Sequence, residues 1–142
     1  MAAGSWTFYN DFKERFAKAD IDLNGDTFKC AMTTSSYTPN VATQSDLGDI
    51  SNEVTDGDYA RQTLASVTVT ETGGTVTVDA ADISFGSSVS ITAKYAIIYD
   101  DTHASDALVA YVDLDTGGGS VSSTSSTFQI TINAAGIFTL SG

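Results

Sequence analysis

Cysteine, histidine and proline are scarce in this sequence. Cys30 is the single cysteine among 142 residues, which excludes an intrachain disulfide and makes folding in a reducing cytoplasm the natural expectation. His103 is also alone, and Cys30 has no partner at ligand spacing, so a zinc site is not expected. Stability must therefore come from an apolar core, which a chain of this length can bury.

Positive charge is equally scarce. Six Lys and Arg stand against 18 Asp and Glu, which gives a net charge of −12 at pH 7. Residues 1–30 carry −1 of this charge and the remaining residues carry −11. Nucleic-acid binding depends on basic side chains that displace counterions, and anionic membranes attract the same side chains. We therefore expect no direct contact with nucleic acid and no association with a membrane.

Long apolar runs and a leader-like segment are missing as well. Nothing approaches the roughly twenty apolar residues that a membrane-spanning helix requires. The N-terminus has no basic region, and its aromatic stretch is interrupted by Asn10, Asp11 and Lys13, so no signal peptide is expected.

Familiar catalytic motifs are also missing. There is no Gly-x-Ser-x-Gly elbow, and the glycine run at 117–119 lacks the Lys and the helix of a phosphate-binding loop. Asp100, Asp101, His103 and Asp106 share one segment that could supply acid–base or metal-binding groups. Without a second histidine, a solvated loop is the better interpretation. We predict that the protein is not an enzyme and uses no cofactor.

Threonine, serine and glycine take the place of charge, a composition that suits short strands joined by turns. Two alternating apolar runs, Val89–Asp101 and Ala107–Leu114, indicate a hairpin at the centre of a sheet. Residues 115–126 are predicted to be an exposed flexible loop. The predicted fold class is mainly β, an antiparallel, jelly-roll-like β-sandwich. Further strands are predicted at Leu64–Glu71 and Thr75–Ala80, joined by a hairpin turn at Thr72-Gly73-Gly74, and at Thr127–Asn133.

One N-terminal amphipathic helix is predicted over residues 5–19. Phe8, Phe12 and Phe16 recur every four residues and give the helix an aromatic face, and Ser5 is placed to cap its first turn. We interpret residues 1–142 as a single domain. Its predicted order is the helix at 5–19, a first strand at 26–33, a long irregular loop at 34–58 and an antiparallel β core at 59–142.

The segment between the helix and the first strand matches the first half of a calcium-binding loop. Asp20, Asp22, Asn24 and Asp26 place oxygen atoms at alternate positions. The twelfth position, where a bidentate Glu belongs, is Ala31. We interpret the segment as a polar turn, with a weak cation site as the alternative.

Six stretches of the sequence look familiar when they are taken together: WTFYNDFKE (6–14), DTFK (26–29), SSYTPN (35–40), LGDISNEV (47–54), ITAKYAIIYDDT (91–102) and NAAGIFTL (133–140). In these stretches the chain resembles a widespread family of small structural proteins of tailed bacteriophages. The resemblance covers nearly the whole chain, its motifs are structural, and it implies no catalytic residues.

This resemblance implies a virion component made in the host cytoplasm, and we expect a capsid decoration (cement) protein. Such a protein would bind the major capsid protein or other virion proteins as a homo-oligomer. The alternatives are a tail-fibre or adhesin-associated module that binds a host-surface glycan, and an ordinary bacterial interaction domain. The docking residues predicted on the aromatic helix, the long loop and the last strand are Trp6, Phe8, Tyr9, Phe12, Phe16, Tyr37, Pro39, Ile137 and Phe138.

Overall fold

The computed structural model describes residues 3–142. In chain order the elements are β1 (Thr7–Phe8), α1 (Asn10–Ala17), β2 (Phe28–Thr33), a 3-10 turn (Leu47–Asp49), β3 (Gln62–Thr63), β4 (Thr68–Thr72), β5 (Thr75–Asp79), β6 (Ile83–Val89), β7 (Thr92–Ala93), β8 (Tyr95–Asp100), β9 (Ala107–Asp113), β10 (Val121–Ser122), β11 (Ser126–Ile130) and β12 (Phe138–Ser141). The fold is mainly β, with one α-helix and antiparallel sheets.

Strand β8 is the middle strand of a five-stranded sheet in the order β1-β9-β8-β2-β3. Its pairing with β9 runs from Tyr95 opposite Asp113 to Asp100 opposite Ala107, which confirms the predicted hairpin. Every residue of β8 after Tyr95 is buried, because both faces of the strand are covered. The predicted continuous run is nevertheless divided at Lys94, whose backbone N–H donates to the carbonyl of Thr33.

Three smaller antiparallel sheets have the orders β12-β5-β4, β11-β6 and β10-β7. Strands β4 and β5 turn at Gly73 and Gly74, whose φ values of 61° and 88° suit glycine in a tight hairpin. The predicted strand at 64–71 begins only at Thr68, since Ser66 has a left-handed φ of 53°. The predicted flexible loop also contains a strand, because Val121 pairs with Ala93.

The predicted helix at 5–19 is wrong at its N-terminal end. Thr7 and Phe8 form strand β1, and the backbone N–H of Tyr9 donates to the carbonyl of Val109 at 3.1 Å. The backbone groups of these residues hydrogen-bond to β9 rather than within a helix. Helix α1 therefore begins at Asn10, with Tyr9 rather than Ser5 at the N-cap position. Aromatic and β-branched residues fit this half-buried edge as well as they fit a helix.

Helix α1 ends in a left-handed turn. The N–H of Ala19 donates to the carbonyl of Phe16, and the N–H of Asp20 donates to that of Arg15. This is the paired bond pattern of a Schellman cap, with Ala19 at φ 63° in the position where glycine is usual.

The long segment between β2 and β3 has little regular structure but is fixed to the central sheet. The backbone N–H of Val54 donates to the carbonyl of Met32 in β2, and the N–H of Leu47 donates to the carbonyl of Asp106, which precedes β9. The Glu53 carboxylate accepts hydrogen bonds from Arg61 at 2.7 and 2.8 Å and from the Tyr59 hydroxyl at 2.8 Å, so the pKa of Glu53 is lowered, mainly by Arg61. The first strand after this segment, β3, begins at Gln62.

The buried apolar side chains form one core that joins residues of α1, the turn before β2 and the sheets. Cys30 lies in this core, fully buried. Within residues 3–142, no helix has the length and apolar character that crossing a bilayer requires.

Candidate docking surface

Four phenylalanines from three elements form an aromatic cluster at the surface. Phe8 of β1 lies 5.6 Å from Phe12 and 4.9 Å from Phe138 of β12, measured between ring centroids. Phe12 stacks on Phe16 at 5.9 Å, one helical turn further along α1. The four-residue spacing puts Phe12 and Phe16 on one face of α1, and that face packs against β12.

An apolar surface opens on each side of Phe16. One groove lies between α1 and β12, and the other lies over the β12-β5-β4 sheet; each holds about 420 Å³. Phe16, Phe138 and Leu140 line both grooves. Leu140 is 53% exposed and is the single large apolar side chain of residues 3–142 that is exposed to this degree. We call Phe8, Phe16, Phe138, Leu140 and Lys13 the docking surface.

The structure divides the predicted docking residues into two groups. Tyr9, Phe12 and Tyr37 are at most 3% exposed, so they support the surface from inside and cannot themselves contact a partner in this conformation. The Tyr9 and Tyr37 hydroxyls are 2.8 Å apart, and Tyr37 donates to Gln44 at 2.6 Å. Burial raises the pKa of both tyrosines. Trp6, Phe8, Phe16, Pro39, Ile137 and Phe138 are half-buried.

Sequence reasoning missed Leu140 and chose Ile137 with Phe138 instead. Strict alternation along β12 would have paired Phe138 with Leu140, because residues two apart share a face of a strand. Leu140 lies opposite Val76 and Phe138 opposite Val78.

The charge on α1 is nearly balanced by local pairs. Arg15 contacts Asp11 at 2.6 Å and Asp46 at 3.0 Å, which ties the helix to the long loop, and Lys18 pairs with Glu14 in the open. The hydrogen bond from Lys18 lowers the pKa of Glu14. Lys13, at the rim of the groove between α1 and β12, has no carboxylate partner within residues 3–142.

The acidic turn before β2 makes local hydrogen bonds. The Asp22 carboxylate accepts from the N–H of Asn24 at 3.0 Å, and the Asp26 carboxylate accepts from the N–H of Asp22 at 2.8 Å. Asp20 is exposed and begins the turn. No group of three or more acidic, His or Cys side chains in the described part of the chain is arranged to hold a metal ion.

Asp100 is the one buried carboxylate within residues 3–142. Its side chain is 0% exposed, and Oδ1 accepts from the N–H groups of Thr102 at 2.9 Å and His103 at 3.1 Å. Oδ2 has no donor within residues 3–142, and the Asp26 carboxylate interacts with this side chain. Burial and then Asp26 raise the pKa of Asp100 to about 6, against the opposing effect of the two N–H donors. Sequence reasoning interpreted this residue as part of a solvated loop, because its burial beside Asp26 depends on a segment that is distant in sequence.

His103, Ser105 and Asp46 meet, but not in the order of a catalytic triad. The Ser105 hydroxyl lies 3.1 Å from Nδ1 of His103 and 2.7 Å from the Asp46 carboxylate. The carboxylate therefore holds the serine, whereas in a triad it orients the histidine. Burial alone would raise the pKa of Asp46, but the bonds from Ser105 and Arg15 outweigh it and lower that pKa. The cluster joins two loops and α1.

Comparison with known proteins finds no family model, no curated protein and no solved structure that matches this chain.

Proposed function

We propose that the protein is a structural component of a tailed-phage virion, a capsid decoration protein that stabilises the outside of the shell. The docking surface carries this proposal: the exposed Leu140 and three half-buried phenylalanines lie beside Lys13, which has no carboxylate partner within residues 3–142. The surface comes from residues 1–30, which carry −1, and from residues 116–142, which carry no charge. Apolar groups surrounded by polar ones are the usual composition of a protein interface.

The charge distribution supports a position outside the shell. Residues beyond 30 carry −11 and would be repelled by packaged DNA, whereas water and counterions outside the capsid tolerate them. The proposal therefore has the α1 side facing the capsid or a sister subunit, with the acidic β face turned outward and no direct contact with nucleic acid or membrane.

A rigid scaffold is the second part of the proposal. We infer that the antiparallel sheets close into a jelly-roll-like β-sandwich, since residues of the five-stranded sheet, β5, β6 and β11 share one core. The sugar-binding alternative has less support, because Tyr37 and Tyr99 are at most 1% exposed and cannot stack on a glycan.

Copy number and position test the function. Quantitative mass spectrometry of virions from the phage that encodes the chain should find hundreds of copies per particle. Cryo-electron microscopy of the same particles should show matching density on the outer shell, and particles made with the chain deleted should lose that density. A few or tens of copies confined to the tail would contradict a decoration role.

A chain without residues 1–19 tests the orientation. It should fail to decorate such particles, and a chain lacking only the exposed residues 117–119 is the control that should still bind. Because the deletion also removes Tyr9 and Phe12 from the core, the exposed substitution Lys13→Glu is tested beside it and should weaken decoration while the circular dichroism spectrum stays unchanged. Full decoration by the chain without residues 1–19 would refute docking through the α1 side.

A further inference from the structure

Strand β12 is an unprotected sheet edge. It hydrogen-bonds only to β5, so its other edge has no strand partner within residues 3–142. Natural proteins protect such edges with charge, proline or a bulge. β12 has none of these: its residues are Phe-Thr-Leu-Ser, its register with β5 is regular, and residues 116–142 contain no Asp, Glu, Lys, Arg or His. The opposite edge of the same sheet, β4, contains the exposed Glu71.

We propose that a second copy of this chain occupies the docking surface, with β12 of one copy pairing antiparallel to β12 of the other about a two-fold axis. The inference deepens the proposed function by naming the partner at this surface, and it rests on that function only for its biological setting. A two-fold interface brings the same patch of both subunits together, so it must be self-complementary.

Side-chain direction limits the register. Residues directly opposite each other in an antiparallel pair point to the same face. Phe138 and Leu140 both point to the face that lines the grooves. An axis through Phe138, Thr139 or Leu140 keeps these side chains on one face, and only the axis through Thr139 places Leu140 of each copy opposite Phe138 of the other, so we propose that one. This pairing covers the one large apolar side chain that the described chain leaves exposed, and it extends the sheet from three strands to six.

Electrostatics favours a second copy at this place over any other self-contact. The −11 that residues 31–142 carry lies entirely before residue 116, so contacts between those parts of two copies would bring carboxylates together. β12 carries no charge, and Lys13 at the groove rim adds a positive one. Association through β12 therefore adds little like-charge repulsion, and that repulsion is screened beyond about 10 Å at ordinary salt.

A cysteine pair tests the register directly. In the proposed dimer the two Thr139 Cα atoms lie about 4.5–5.5 Å apart, within the span of a disulfide. Thr139→Cys should form a covalent dimer under mild oxidation. Thr70→Cys is the matched control, because Thr70, Thr77 and Thr139 form one row across the sheet and Thr70 lies on the far edge. Cys30 is fully buried and should not interfere.

The oligomeric state tests the dimer itself. Purified wild-type protein at about 100 µM should sediment as twice its 14.8 kDa mass. Leu140→Asp should sediment as a monomer with an unchanged circular dichroism spectrum, because Leu140 already faces water in the monomer. A monomeric wild type, or Thr139→Cys that cross-links no faster than Thr70→Cys, would overturn the proposal. These measurements use the protein alone, so a failed dimer leaves the decoration of particles to be judged separately by copy number and position.

Discussion

Replacing Asp100 with Asn should stabilise the protein at neutral pH, although it removes a charge from a hydrogen-bonded position. The buried carboxylate has one oxygen that accepts two backbone N–H groups and one that has no donor within residues 3–142, and the Asp26 carboxylate interacts with this side chain. Asn keeps the accepting oxygen and turns an amide donor towards the Asp26 carboxylate. The repulsive contact between two carboxylates thus becomes a hydrogen bond.

The magnitude follows from the pKa of Asp100, which is about 6 in the folded chain against a usual value of 3.8. Between these two values the folded state holds more protons than the unfolded state, so stability falls as the pH rises through this window. A pKa difference of about two units corresponds to about 3 kcal/mol of the free energy of unfolding. This stability is present at low pH and is lost once the pH exceeds about 6. Asp100→Asn does not incur this loss.

Urea unfolding followed by circular dichroism measures the effect. The free energy of unfolding of Asp100→Asn minus that of the wild type should grow by about 2 kcal/mol between pH 4.5 and pH 7.5, in favour of the variant. Asp101→Asn is the matched control: it removes the neighbouring carboxylate from a partly exposed pair with Lys29 and should cost at most about 1 kcal/mol. If Asp100→Asn is the less stable protein at pH 7.5, the electrostatic reasoning is refuted.

Three further substitutions or reactions test other parts of the fold. Phe12→Ala should lower the free energy of urea unfolding by about 3–5 kcal/mol, because the ring is 3% exposed within the aromatic cluster; a loss below about 1 kcal/mol would contradict its place in the core. Ala19→Gly should raise the free energy of unfolding by up to about 1 kcal/mol, because Ala19 has a φ of 63°, whereas Ala17→Gly at the last residue of α1 should lower it by at most about 1 kcal/mol. Cys30 should resist a disulfide reagent in native buffer and react in urea, because the thiol is fully buried and burial raises its pKa to about 12; rapid native labelling would show that the core opens.

Patterns that depend on neighbouring residues were predictable. Alternating apolar residues located the β8–β9 hairpin, and Gly73-Gly74 located the β4–β5 turn, because side-chain direction in a strand and backbone conformation in a tight turn are local properties. The four-residue spacing of the phenylalanines predicted one helix face. That prediction is confirmed for Phe12 and Phe16, which lie in α1.

Properties that depend on distant residues were not predictable in this way. The sequence of residues 5–8 is compatible with both a helix and a strand. Thr7 and Phe8 form a strand because they pair with the free edge of β9, about a hundred residues away. Tyr9 and Tyr37 were expected at the surface, but both are buried and their hydroxyl groups hydrogen-bond to each other. The burial of Asp100 beside Asp26 was not predictable either, because it depends on how the turn before β2 packs.

The sequence by itself therefore determined a β-rich chain with an acidic surface, one short aromatic helix and no familiar catalytic motif, because composition and period require no knowledge of contacts. The tertiary structure alone decided which aromatic side chains are buried, which carboxylate loses its water and which sheet edge stays open. Those outcomes depend on the surface that remains after all elements have packed, and no local pattern contains that information.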